Sequence, residues 1–146
     1  MFYVHNRSII RHHLDVPAGK PKVFSQLSYP PVTLSTGYGM LATAGSSGEV
    51  TVHSLDNNSS DNIFDARIGS SINNHISFAP QPTSSIEPRL LVCSNDALIR
   101  VFKVGRRCSP QLDQVSTLKF NTAINQGKYR FQQLYFILIC YSFNFT

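Results

Sequence analysis

Short runs in which apolar and polar residues alternate fill this chain, and one such pattern occurs twice. Met40-Leu-Ala-Thr-Ala-Gly45 leads into the polar triplet Ser46-Ser47-Gly48 and then into a strand in which Val50 and Val52 share a face. Arg89-Leu-Leu-Val-Cys-Ser94 leads into Asn95-Asp96 and then into Ile99 and Val101. Val50 to Ile99, Val52 to Val101 and Leu55 to Val104 are each 49 residues apart, so the two copies align without a gap. An apolar run, a tight polar turn and a period of two together predict a β-hairpin. A hairpin repeated at a spacing of several tens of residues predicts a stacked or radial all-β repeat protein.

The rest of the chain reads in the same units. Phe2-Tyr-Val4 and Ser8 to Leu14 predict a further hairpin around Asn6-Arg7, and Val23 to Leu27 predicts a short outer strand after the connector Asp15 to Lys22. Val32-Thr-Leu34 and Met40 to Ala44 flank a loop expected at Ser35 to Gly39. Asp56 to Asn62 is an uninterrupted polar run and predicts an exposed loop, followed by an outer edge strand over Ile63 to Ile68. His75 to Phe78 alternates, with Ile76 and Phe78 on one face, before a Pro/Ser-rich insertion from Ala79 to Pro88. After the second strong hairpin, Gly105 to Asp113 is a connector and Val115 to Phe120 an outer strand.

Composition narrows the class. With 146 residues the chain holds one domain. Its net charge of +5 comes from 13 basic and 8 acidic residues spread thinly, with no cluster of the kind that tracks a nucleic-acid backbone. Cys93, Cys108 and Cys140 form no CxxC pair and leave one thiol over in any disulfide scheme, which favours a reducing compartment. The start, Met1-Phe-Tyr-Val-His-Asn-Arg7, lacks a secretory pattern, so a cytoplasmic or nuclear location is expected. Phe131 to Phe145 is uncharged and aromatic, but its apolar centre from Leu134 to Tyr141 is too short to span a bilayer.

The recurring order of outer strand, inner strand and hairpin resembles the four-stranded blade of a WD-repeat β-propeller. Ile76-Ser77-Phe78-Ala79-Pro80, Leu90 to Ser94, Asp96-Ala97 and Ile99 to Lys103 carry the resemblance in one unit. In the other it rests on Val32-Thr-Leu34, Leu41 to Gly45, Ser47-Gly48 and Val50 to Ser54. The resemblance covers residues 2 to 125. It implies an all-β, partial β-propeller of about two four-stranded antiparallel blades with incomplete flanking blades and an irregular C-terminal tail. The sequence departs from the family at several places: Trp is absent, His53 and Phe102 stand at its position, and Ser54 and Lys103 replace the Asp that follows. The hydrogen-bonded tetrad of the ordinary blade therefore cannot form.

Two blades are fewer than the four to eight that close a propeller, so the chain reads as a fragment of a larger ring in residues 1–125, followed by a non-family tail in residues 126–146. The repeat stops at Gln126-Gly127-Lys128-Tyr129, and the tail is rich in Phe and Tyr, as expected of translated intron or of a truncated product.

Chemistry is sparse. His5, His12, His13, His53 and His75 show no metal-ligand spacing, and Gly37-Tyr-Gly39 and Gly45-Ser-Ser-Gly48 lack the Lys and the strand-to-helix context of a phosphate loop. Neither a catalytic set nor a cofactor, small-molecule or membrane site is expected. The resemblance implies a non-catalytic scaffold that holds protein or peptide partners on its rim, and selects Asn73, Asn74, Ser46, Ser47, Asn95 and Asp96 as the contact residues. Two alternatives stand beside it: a fragment of a propeller enzyme whose catalytic residues lie elsewhere, and a weak RNA-binding module built on Arg100, Arg106 and Arg107 with Phe102.

Overall fold

The computed structural model describes residues 1–14, 19–55, 63–79, 88–105 and 111–127. The expected loop at Asp56 to Asn62, nearly all of the Ala79 to Pro88 insertion, the middle of the Gly105 to Asp113 connector and the tail beyond Gly127 lie outside these residues. The described chain is all-β and forms three antiparallel sheets, none of them closed.

The first sheet has the order β1 (Phe2–His5), β2 (Ser8–Arg11) and β3 (Lys22–Gln26). The second is the meander β4 (Pro31–Gly37), β5 (Met40–Gly45), β6 (Glu49–Ser54) and β7 (Ile63–Arg67). The third is the meander β8 (Asn73–Phe78), β9 (Arg89–Ser94), β10 (Leu98–Gly105) and β11 (Gln111–Lys119). The expected hairpins and outer strands are therefore present.

The second and third sheets are copies of one another in register. Ala42 pairs with Val52 and Leu91 with Val101, each pair offset by 49 residues from its counterpart. The copying reaches their first strands: the β4–β5 ladder slips between Pro31 and Thr33, and the β8–β9 ladder slips between Asn73 and His75. A β-bulge at the same place in both copies marks a built feature rather than an accident of one strand.

Alternation along the strands decides which face meets which sheet. Met40, Ala42, Ala44, Val50 and Val52 of the second sheet join Ile76, Leu90, Val92, Phe102 and Val104 of the third in one buried cluster. On the opposite face of the second sheet Leu41 packs with Ile9, Leu27 and Tyr29, flanked by Phe2 and Phe24 of the first. The second sheet is thus sandwiched, and the stacking is head to tail: Leu41 and its counterpart Leu90 both look toward the preceding sheet. Completely burying a Val, Leu or Ile is worth about 1.5–3 kcal/mol, so these two interfaces are the principal stabilising elements.

Two expectations need correcting. Ser35 to Gly37 is strand, not loop, and the turn is confined to Tyr38 and Gly39, with φ of +56° and +70°. These small polar residues read as loop in isolation, but Ser35 Oγ accepts a hydrogen bond from the Phe78 backbone at 3.3 Å. A Cβ on Gly37 would lie 2.8 Å from Phe78 Cβ, so the missing side chain is what lets the third sheet approach. Likewise β11 begins at Gln111, inside the expected connector, because Gly105 pairs with Gln111.

A candidate macromolecular contact rim

One end of the stack carries the β1–β2, β5–β6 and β9–β10 turns. The β5–β6 turn is Ser46-Ser47-Gly48, and the β9–β10 turn is Asn95-Asp96-Ala97. Gly48 and Ala97 hold φ of +85° and +63°, the left-handed residue that closes a three-residue hairpin loop. The connection from β7 to β8 runs through the same end: Ile68 N donates to Gly48 O at 2.6 Å, and Asn95 N donates to Ile72 O at 2.9 Å. The Asn6-Arg7 turn lies at this end too, since Leu27 N donates to Arg7 O at 2.8 Å.

The six residues singled out from sequence fall on this rim in unequal states. Ser46, Ser47, Asn95 and Asp96 are exposed, and Asn74 is half-buried. Asn74 Nδ2 reaches Asn95 Oδ1 at 3.4 Å, Ile124 O at 3.0 Å and Asn125 Oδ1 at 3.3 Å, so the bulged residue of β8 ties the turn to the segment after β11. Asn73 differs from the expectation. It is 0% exposed, and its Nδ2 donates to Glu49 O at 3.3 Å, while its Oδ1 is without a partner. As the first residue of an inner strand, it joins the second and third sheets rather than offering a surface.

Asp96 is also committed locally. Its carboxylate accepts from Leu98 N at 3.2 Å and pairs with Arg100 at 2.6 Å. Burial pushes its pKa up, but the hydrogen bond and charge of Arg100, with hydrogen bonds from Ser94 and Leu98 N, outweigh burial and leave it below the ordinary carboxylate value. The Arg100 side chain is 12% exposed; Arg106 and Arg107, which the RNA-binding alternative also invokes, lie outside the described residues.

The second sheet carries a different polar chain on the face toward the first. Tyr29 hydroxyl bonds Thr43 Oγ1 at 3.0 Å and Thr51 Oγ1 at 2.9 Å, and Thr51 Oγ1 donates to Asp65 at 2.5 Å. Burial raises the Tyr29 pKa, so the phenol stays protonated as a donor. Where the chain meets the rim it borders an open cleft of about 260 Å³ lined by Ser28, Tyr29, Glu49, Asp65, Ala66 and Arg67. Glu49 accepts from Ser47 N at 2.7 Å and lies 3.7 Å from Arg67. The sequence singles out none of Tyr29, Glu49, Asp65 and Arg67 as site residues, and they come from three segments, with Asp65 and Arg67 both on β7. The one local signal was the Glu49 that follows the Gly48 turn.

Burial also shifts three further groups, His53, His75 and Cys93. His53 is 2% exposed, stacks edge-on to Phe24 at 5.7 Å and leaves Nε2 without a partner. Burial drives its pKa down against the opposing charge of Asp65. Burial also lowers the pKa of His75, countered by a hydrogen bond with the Gly127 backbone, and it pushes the Cys93 thiol up to about 12, which silences it as a nucleophile. Among the described residues no three His, Cys, Asp or Glu side chains converge as a metal site, and no helix is long and apolar enough to cross a membrane.

A search of protein-family models finds no match for this chain, and a search of curated proteins finds none either.

Proposed function

We propose that this chain is part of a divergent WD-like β-propeller that acts as a non-catalytic scaffold, docking protein or peptide partners on the rim that carries Ser46, Ser47, Asn74, Asn95 and Asp96. One observation carries the reading. Two sheets copied at an offset of 49 residues stack head to tail and present equivalent turns side by side at one end. Rigid sheets that hold polar turns at fixed spacing suit macromolecular recognition. The head-to-tail stacking is also the relation between neighbouring blades, in which each sheet covers the next.

The enzyme alternative places its catalytic residues outside this chain; within it, His53 and Cys93 are buried between strands and Asp96 is engaged by Arg100, and it is the rim of paired turns that supports the scaffold reading.

The test is affinity capture with the intact chain, followed by measurement of the recovered partner's affinity for two variants. Ser47→Arg with Asn95→Arg places two long cations on exposed rim positions, and His13→Arg alters an exposed residue at the opposite end of the first sheet. The rim variant is expected to weaken binding at least about tenfold, equivalent to about 1.4 kcal/mol, and His13→Arg to leave it unchanged. Equal binding by both variants would refute the assignment of the rim.

A further inference from the structure

The two faces that look toward a preceding sheet are equivalent in position and different in chemistry. On the third sheet Leu90, Val92, Phe102 and Val104 meet the second sheet, and all four are buried. At an offset of 49 residues the second sheet turns Leu41, Thr43, His53 and Leu55 toward the first. Two apolar positions have become polar. Thr43 is satisfied, since its hydroxyl bonds that of Tyr29 at 3.0 Å. His53 is not: it is 2% exposed, lies edge-on to Phe24 of the first sheet with ring centroids 5.7 Å apart, and leaves Nε2 without a partner. The first sheet is held by the smaller apolar cluster of Ile9, Leu27, Tyr29 and Leu41, bordered by Phe2, Phe24 and Leu55, with a titratable ring beside it.

The groups around the imidazole set what a proton does there. β5, its neighbour in the sheet, and β4 hold no ionisable side chain. β3 offers Phe24, while its Lys22 is exposed, and from the first hairpin the Arg11 guanidinium lies over the Phe2 ring at 5.8 Å. β7 brings Asp65, whose charge favours the imidazolium but whose Oδ1 already accepts from Thr51 Oγ1. Burial outweighs that charge, so the closed interface favours the neutral ring. Released into water, the ring returns toward its ordinary value of about 6.5. Between that value and the closed-state one, each pH unit downward multiplies the open-to-closed ratio by about ten.

The chain that joins the two sheets is short and pinned at both ends. Leu27 N donates to Arg7 O of the first sheet's turn at 2.8 Å, whereas the Tyr29 hydroxyl is bonded to Thr43 and Thr51 of the second sheet. Ser28 lies between them and is exposed. The first sheet can turn about Ser28 with its own ladders intact, while Tyr29 stays with the second.

We propose that the first sheet is a proton-released flap: protonation of His53 parts it from the second sheet about Ser28, uncovers Leu41 and Tyr29, and carries the Asn6-Arg7 turn away from the rim. Loss of the proton restores the apolar contact, so the motion is reversible. The interface between the second and third sheets has Phe102 in the equivalent place and stays closed. The flap is independent of what the rim binds.

The test is thiol labelling of the intact chain carrying Ser25→Cys. Ser25 is 6% exposed and pairs with Ile9, so it faces the second sheet. The probe is a pyridyl disulfide, which reacts in mild acid; labelled peptides are resolved by mass spectrometry, and each rate is divided by that of the same cysteine in the unfolded chain at the same pH. From about pH 7.5 to about pH 5 the normalised rate at residue 25 is expected to rise at least about tenfold, while that of Cys93, buried in the third sheet, stays constant. His53→Phe, which copies Phe102, should make residue 25 indifferent to pH. His53→Gln, uncharged throughout, should do the same where the larger ring disturbs β6. A flat rate at residue 25, a rise shared by Cys93, which would mean global unfolding, or a pH response that survives both substitutions would each overturn the proposal.

Discussion

Gly48 and Ala97, 49 residues apart in sequence, close equivalent turns in sister sheets with the same left-handed backbone, at φ +85° and +63°. Glycine adopts that conformation freely, while a Cβ costs about 1–2 kcal/mol there. Ala97→Gly should therefore stabilise the fold by about 1 kcal/mol after allowing for the extra freedom glycine gives the unfolded chain. Gly48→Ala is the opposite case, because a Cβ would also lie 2.3 Å from Gly69 O; a loss of more than about 2 kcal/mol is expected. Urea unfolding midpoints of the two variants check the pair. A midpoint unchanged in both would contradict the turn geometry.

His53 and Phe102 occupy the same place in the two sheets, and only the histidine leaves a buried nitrogen without a partner. Its folded-state pKa lies below the ordinary value, so the unfolded chain takes up the proton first. Stability should then fall as the pH drops below about 6.5, until the folded-state pKa is passed. His75, lowered in the same direction, adds to the slope. His53→Phe should raise stability by about 1 kcal/mol at neutral pH by removing the unsatisfied group and should flatten the fall between pH 6.5 and 5. Thermal melts across that interval check it. An unaltered slope would show that His53 is not the group responsible.

Thr51 sits at the middle of a chain from Tyr29 to Asp65, accepting from one and donating to the other. Thr51→Val keeps the shape but strips a partner from each neighbour, and a loss of about 1–3 kcal/mol follows from leaving buried groups unpaired. Adding Tyr29→Phe should cost less than the sum of the single effects, because the two hydroxyls serve each other. A double-mutant cycle measures this. Strict additivity would mean that Tyr29 and Thr51 do not interact.

Asp96, on the exposed turn, anchors the Arg100 side chain, which is 12% exposed. Asp96→Ala should destabilise the fold by about 1 kcal/mol, since Arg100 loses its ion-pair partner at the exposed turn and Leu98 N loses an acceptor. The depressed carboxylate pKa gives the sign: its contribution is present above the ordinary value of about 3.9 and is lost as the pH falls through the folded-state pKa. Acid titration of the wild type and the variant should therefore converge at low pH. Parallel curves would exclude the ion pair as the cause.

Much of this architecture was legible because a strand writes its faces into the sequence with a period of two. Val50, Val52, Ile99 and Val101 announced the hairpins, and the offset of 49 residues survived into the ladders. Ser35 to Gly37 did not announce a strand, since small polar residues acquire strand character only against Phe78 of another sheet. The burial of Asn73 was hidden for a similar reason: an Asn at a strand start reads as turn, and only the neighbouring Glu49 carbonyl explains its place. Tyr29, Thr51 and Asp65 meet across three segments, and no local pattern joins them.

The central claim is that the second and third sheets are sister units stacked face to face, and inter-sheet methyl contacts in solution test it most directly. Nuclear Overhauser effects should connect Ala42, Ala44, Val50 and Val52 with Ile76, Leu90 and Val92, the residues of their shared buried cluster. Effects confined to each sheet, with none between Ile76 or Leu90 and the methyls of the second sheet, would contradict the account.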